Sequence, residues 1–306
     1  MKRPQSKPRT PKSRPTPPTH WGNVAEWYDQ LVGEEGSEFH RHVIFPGVLR
    51  LLALQPHEPV LDVACGQGVF CRLLSQHGAK PTGIDASPEL IKLARQRNSA
   101  LTPPPSAPST QHSASPDYLV GDARDLSALP ADHFAAATCI LAIQNIDKLP
   151  PVFQGISRVL APLGRLVLVM MHPCFRSPKF TSWGWDEEGK TQYRRVDRYL
   201  LPRREPIITH PGKKTSQYTW SFHRSLQTYV KALRGANLLV DALEEWPSHK
   251  TSTSGPRAPA ENVARQEIPM FLALRPTAAE LSAKISGHTQ PHDLHPSPLP
   301  LSAFRP

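Results

Sequence analysis

The sequence predicts an α/β fold, a mostly parallel sheet with helices on both faces. Three observations carry this expectation. Short apolar runs alternate with segments of helical spacing, as in chains that wind a parallel sheet. The first run, PVLDVA at 59–64, stops at a glycine cluster, as a buried parallel strand does. The 306 residues, 39% of them hydrophobic, suffice for one sizeable core.

Taken in order, Val24 to Tyr28 and His40 to Leu54 space their apolar residues as helices. Pro59 to Ala64 is the first strand, Val69 to Gln76 a helix, and Lys80 to Asp85 the second strand. Ser87 and Pro88 cap a helix over Glu89 to Arg97. Asp117 to Val120, Ala135 to Ala142 and Arg165 to Met171 are the third to fifth strands, with a helix at Leu149 to Leu160 between the last two. The segment 173–219 breaks this rhythm. It is rich in Arg, Trp, Tyr and Pro, and its length suits a lid or substrate-binding insert. A helix at Leu226 to Asn237 and strands at Leu238 to Glu245 and Ile268 to Leu274 complete the expected body.

The 35 prolines gather near both ends and in Thr102 to Pro116. Such segments bury too little apolar surface to offset their ordering entropy, so 1–20, 99–116 and 277–306 are expected to be disordered around a domain at 21–276. The net charge is +10, from 36 basic and 26 acidic residues, and six of the ten charges sit in the N-terminal tail. A basic tail on a nearly balanced body is a weak sign of nucleic acid and reads first as solubilising. No apolar run has the length of a membrane span, and no apolar leader opens the chain. Cys65, Cys71, Cys139 and Cys174 form no CxxC pair, so reduced thiols and a cytoplasmic setting are expected, with no metal site.

The strongest motif is VLDVACGQG, Val60 to Gly68. Its glycines let the backbone turn sharply beside a helix N-terminus and approach a ligand. Asp62 places a carboxylate inside the strand, which is costly unless a ligand or hydrogen-bond network uses it. Asp85 ends the second strand, where a carboxylate can accept both hydroxyls of a ribose. A dinucleotide site would want a third glycine near Cys71.

This pattern resembles the class I S-adenosylmethionine-dependent methyltransferases of the small-molecule type. The likeness extends to Gly121-Asp122-Ala123 after the third strand and to Arg158-Val159-Leu160, Pro162 and Gly164 before the fifth. It implies a Rossmann-like, seven-stranded, mostly parallel sheet with an antiparallel final strand, and S-adenosylmethionine as cofactor. By the same resemblance, Asp62, Ala64, Gly66 and Gly68 surround the methionine part of the cofactor, and Asp85 binds the ribose beside Ala86 and Ser87. Asp122 accepts from the adenine amino group, Ala123 lines that pocket, and Leu141 and Ile143 lie near the sulfonium. Tyr28, in Asn23-Val24-Ala25-x-x-Tyr28-Asp29, resembles a lid aromatic of such enzymes; a core aromatic on a short helix is the competing expectation.

Methyl transfer from a sulfonium is an in-line displacement that positioning can largely supply, so a base is optional. His172, directly after the fifth strand, is the expected candidate for one. His223 and Arg224 are candidates to bind substrate from the lid side, and Trp183, Trp185, Tyr193 and Tyr199 to line an aromatic pocket or to form the insert's own small core. The expected reaction is methylation of oxygen, carbon or nitrogen on a small molecule. The alternative is an RNA methyltransferase acting on ribose or a ring nitrogen. Against it, the fourth strand ends Ile140-Leu141-Ala142-Ile143-Gln144-Asn145, without the Asn/Asp-Pro-Pro-aromatic motif of exocyclic-amine methylation.

Overall fold

The computed structural model describes residues 21–101, 115–209 and 217–279. The expected tail at 1–20, residues 280–306 of the tail expected at 277–306, and the proline-rich stretch 102–114 lie outside the described residues, while 277–278 belong instead to the last strand. The chain enters through a 3-10 turn and helix α1 (Ala25–Val32), then a π-helical turn (His40–Ile44) that runs into α2 (Phe45–Leu52). There follow β1 (Pro59–Val63), α3 (Val69–Gln76), β2 (Lys80–Asp85), α4 (Pro88–Leu101), β3 (Asp117–Val120), β4 (Phe134–Ile140), α5 (Leu149–Val159) and β5 (Leu160–Met171). Two hairpins come next, β6 (Thr181–Asp186) with β7 (Thr191–Val196) and β8 (Arg203–Ile208) with β9 (Tyr218–His223). The chain closes through α6 (Leu226–Arg234), β10 (Leu238–Trp246), α7 (Ala258–Glu267) and β11 (Phe271–Ala278).

The seven-stranded sheet has the order β10-β11-β5-β4-β1-β2-β3, and only β11 runs against its neighbours. This is the expected mixed sheet with an antiparallel final strand. Strand alternation explains why its core strands read as unbroken apolar runs. In β5, Leu166, Leu168 and Met170 face a core built with Val152, Phe153 and Ile156 of α5 and Tyr229 and Leu233 of α6. Val167 and Val169 face the opposite core, with Val48, Leu51 and Leu52 of α2 and Phe70 and Leu74 of α3. Both faces are therefore covered, and burying each such side chain contributes about 1.5–3 kcal/mol.

Three elements differ from expectation. Helix α4 continues to Leu101, through the first residues assigned to the disordered insertion. The segment before the last strand is a helix, α7, and β11 begins only at Phe271 and continues to Ala278. Among its described residues the 173–219 segment supplies β6, β7, β8 and the start of β9, paired as two antiparallel hairpins.

Helix α1 and the turn after it are tied to α4 and the glycine loop by polar contacts. Arg97 of α4 donates to both carboxylate oxygens of Asp29 at 2.6 and 2.8 Å. Gln67 Nε2 donates to the Gly33 carbonyl at 2.5 Å, and Arg72 donates to the Gln67 and Glu34 carbonyls at 2.8 Å each. These bonds hold the N-terminal segment across the carboxyl edge of the sheet.

Candidate active site

One cavity of about 380 Å³ opens along that edge, lined from the ends of six neighbouring strands. Beyond β3 and β2 lie Gly121, Asp122, Ala123, Asp85 and Ala86, and beyond β1 lie Ala64 and Gly66. Past β4 come Leu141, Ala142 and Asn145, and the far wall is Met171 of β5 with Met270 and Phe271 at β11. Tyr28, Phe39 and His40 of the N-terminal segment roof it.

Two of the cavity's walls carry left-handed, non-glycine backbone. Gly66 has φ +57°, which glycine adopts at little cost. Ala64 (φ 57°) and Leu141 (φ 53°) take the same left-handed conformation without that freedom, each at the carboxyl end of a central strand. Such residues cost about 1–3 kcal/mol apiece and gather at ligand clamps.

Asp85 Oδ2 accepts from the Gly66 amide at 2.9 Å and Oδ1 from the Ser87 amide at 2.8 Å. Burial nevertheless raises its pKa above the ordinary carboxylate value. Two ribose hydroxyls donating to it would favour its charged form. Ser87 lies behind it, its Oγ accepting from the Leu90 amide at 3.2 Å as the cap of α4. At Asp122 burial works against the charge, but the Arg124 side chain and amide outweigh it and hold the carboxyl below its ordinary value.

Tyr28 closes over the loop. A Cβ added at Gly66 would meet the Tyr28 ring at 3.0 Å, and Trp21 packs edge-on against that ring with centroids 5.6 Å apart. Burial, then the charges of Asp85 and Asp62, push the Tyr28 phenol well above its usual range, so it remains a proton donor. Asn145 Oδ1 is buried at the wall with no hydrogen-bond partner among the described residues. A buried acceptor of this kind is satisfied by a ligand's donor.

These features fit S-adenosylmethionine. The lining holds two carboxylates and no lysine or arginine, which suits a cationic sulfonium amino acid and disfavours the pyrophosphate of a dinucleotide.

Comparison with known proteins agrees. A methyltransferase-domain family profile matches residues 61–168. An S-adenosylmethionine-dependent methyltransferase from Mesorhizobium loti superposes with a TM-score of 0.57 at 26% identity, covering 80% of this chain and all of that one. Residues 61–168 thus match a methyltransferase domain, and the described body has the fold of S-adenosylmethionine-dependent methyltransferases. The ubiquinone biosynthesis O-methyltransferase of Xanthomonas campestris is 30% identical over 145 residues, 46% of this chain and 54% of that protein. A 2-phytyl-1,4-naphtoquinone methyltransferase of Synechococcus elongatus is 33% identical over 156 residues, 49% of this chain and 60% of that protein. The chain thus spans a little over half the length of the curated relatives it matches.

The remaining expected site residues of the methyltransferase domain lie outside the cavity lining. Asp62 is turned into the sheet: Thr138 donates to Oδ1 at 2.7 Å and Cys71 to Oδ2 at 3.5 Å. Burial is the main cause that pushes its pKa up to about 7. Gly68 (φ 76°) shapes the loop while packing on Tyr118, and Ile143 is fully buried in the core. His172 Nδ1 accepts from the Cys174 amide at 3.2 Å, which leaves Nε2 to donate to Glu245 at 2.8 Å. Both ring nitrogens are occupied, and burial lowers its pKa. His223 donates from Nε2 to the Tyr199 carbonyl at 2.8 Å, and Arg224 spends Nη2 on the Ile146 and Asp147 carbonyls, bracing the loop behind Asn145. The cavity does not bring these three to the reacting end.

His40, by contrast, is a wall residue that sequence reasoning missed. Its Nδ1 accepts from the Ser37 amide at 3.3 Å with Ser37 Oγ at 2.8 Å, so the proton sits on Nε2. Burial drives its pKa down to about 4, and the ring is neutral near pH 7. The available signal was a histidine on the apolar face of a helical segment.

Two outcomes follow from these carboxylates. Asp85→Ala removes a charge-assisted ribose contact, and S-adenosylhomocysteine affinity measured by calorimetry is expected to fall by about 1.5–3 kcal/mol. Asp62 has a raised folded-state pKa, so the native state holds a proton that the unfolded chain releases. Stability therefore falls as pH rises between the ordinary carboxylate value and about 7. Asp62→Asn keeps the shape without the proton and is expected to remove about 2–4 kcal/mol of that pH dependence in denaturant titrations.

Proposed function

We propose that this protein transfers a methyl group from S-adenosylmethionine to a small, mainly apolar acceptor that presents an oxygen to the cofactor. The observation that carries this reading is the continuity of one cavity from a carboxylate-bearing end to an apolar end at Phe39, Met171, Met270 and Phe271. The quinone-related relatives support the same class of acceptor.

The cofactor, when bound, supplies a methyl group already activated by its positive sulfur. Asp85 would hold the ribose and Asp122 the adenine amino group, while the glycine loop at Gly66 lets the backbone approach the methionine part. Tyr28 and Trp21 cover the loop and keep water from the reacting end. His40 presents Nε2–H at the acceptor end and would hold an acceptor oxygen as a hydrogen-bond donor, fixing its line of attack. With a pKa near 4 it is a weak base, so the acceptor must reach the site already ionised or lose its proton to water.

Among the described residues no helix is long and apolar enough to cross a membrane. The four cysteines are all free, which supports our placing the protein in the reducing cytoplasm.

The test is transfer of labelled methyl from S-adenosylmethionine to a panel of dihydroxybenzenes and naphthoquinols, with bulk tRNA and ribosomal RNA alongside. Label in the small phenols is expected. Label in RNA alone would replace this reading with the nucleic-acid one. With the phenol that accepts label, His40→Ala is expected to lower kcat/KM by about 10–100-fold while S-adenosylhomocysteine affinity stays unchanged. Unaltered turnover would make His40 a packing residue.

A further inference from the structure

Beyond the far wall of the cavity, two arginines share one indole. Arg176 lies 5.2 Å and Arg194 4.9 Å from the centre of the Trp183 ring. Arg176 donates from Nε to the Pro269 carbonyl at 3.2 Å and from Nη2 to the Ile268 carbonyl at 3.3 Å. Those two residues lead directly into Met270 and Phe271 of the cavity wall. The Arg176 amide itself bonds the His172 carbonyl at 2.8 Å, one residue past Met171. Arg194, on β7, donates from Nε to the Phe175 carbonyl at 2.8 Å and from Nη2 to Thr181 Oγ1 at 2.7 Å. The hairpin β6–β7 thus delivers a second guanidinium to the flank of the apolar end.

What this arrangement lacks is a counter-charge. Neither arginine forms an ion pair among the described residues, although most other half-buried arginines around the sheet do: Arg97 with Asp29, Arg124 with Asp122 and Asp147, Arg165 with Glu58. Glu245, the carboxylate beside this region, is engaged by His172. Burial, and then the Arg194 charge, lower the pKa of Arg176 to about 10. An indole face offsets only part of such a cost. Each guanidinium keeps Nη1 without a hydrogen-bond partner among the described residues. Two guanidinium groups gathered on one indole, each with a spare N–H donor and no carboxylate partner among the described residues, form a site for an oxyanion.

We propose that Arg176 and Arg194, held on Trp183, form a subsite for an oxyanion borne by the acceptor, a carboxylate or a phosphate, while its apolar body lies toward Met270 and Phe271. This rests on the methyltransferase reading of the cavity and narrows its substrate class to acidic small molecules.

The test is calorimetric titration of the full chain, saturated with S-adenosylhomocysteine, with 4-hydroxybenzoate, phenyl phosphate and phenol. Both anions, or one of them, are expected to bind at least about tenfold tighter than phenol, and the tighter anion names the oxyanion. That preference should shrink with added salt, collapse in Arg194→Gln and survive in part in Arg194→Lys, with S-adenosylhomocysteine affinity reporting that each variant is folded. Failure of both anions to bind, binding no tighter than phenol, or a preference that persists in Arg194→Gln overturns the subsite. Failure of S-adenosylhomocysteine to bind the native chain overturns the methyltransferase reading itself, a separate result.

Discussion

Asp85 ends β2 beneath the glycine loop, accepting the Gly66 amide on one oxygen and the Ser87 amide on the other. Through these two bonds one carboxylate fixes both the turn after β1 and the start of α4. The left-handed turns at Ala64 and Leu141 are tolerated because β1 and β4 are each paired with a neighbour on both sides and buried on both faces. The same anchoring lets Tyr28 lie on Gly66, since the loop beneath it cannot shift. Because Asp85 is buried, its charge is expensive, and the ligand best able to favour that charge is a cation bearing adjacent hydroxyls.

Roofing the cavity with an N-terminal segment requires that segment to be held without a large core of its own. α1 buries only Ala25 and Val32. Its attachment is chiefly polar: the Arg97 fork on Asp29, and Arg72 and Gln67 on the backbone around Gly33 and Glu34. Charge-assisted bonds of this kind contribute about 1.5–3 kcal/mol each. They make the roof specific in position while leaving it far easier to open than the sheet, which suits an element that must admit cofactor and acceptor.

Much of the domain was legible because its signals are local. α3, β2 and β3 begin and end where apolar spacing, glycine and the Ser87-Pro88 cap put them. Asp85 and Gly66 were legible because strand ends on one edge must meet, and Asp122 through the resemblance of Gly121-Asp122-Ala123. What escaped was whatever depends on orientation. Asp62 lies inside β1 in register with Thr138 of β4, which binds its carboxylate, whereas Ala64, past the strand's end in left-handed backbone, reaches the cavity. α7 escaped because it buries only Ala264 and carries no apolar stripe. His172 stands at the right edge, but which way its ring turns is decided by Glu245, 73 residues later. His40 reads as one more helical residue until Ser37 and the cavity wall give its two nitrogens different tasks.

The distribution of charge along the sheet edge orders these pieces into one argument. The acidic groups, Asp85 and the Arg124-paired Asp122, lie beyond β2 and β3, whereas arginines without carboxylate partners among the described residues flank β5 and β11 at the other end. A cation bound at the first end and an anion held at the second would each meet the potential that favours it, and an apolar span between them keeps water from weakening either attraction. Exchanging the two ligands would set like charges together at both ends. The field therefore discriminates direction as well as identity, and it does so before any contact at the reacting atoms is made. A cationic group in the cavity lining would disturb that gradient, and His40, which lines its acceptor end, is neutral.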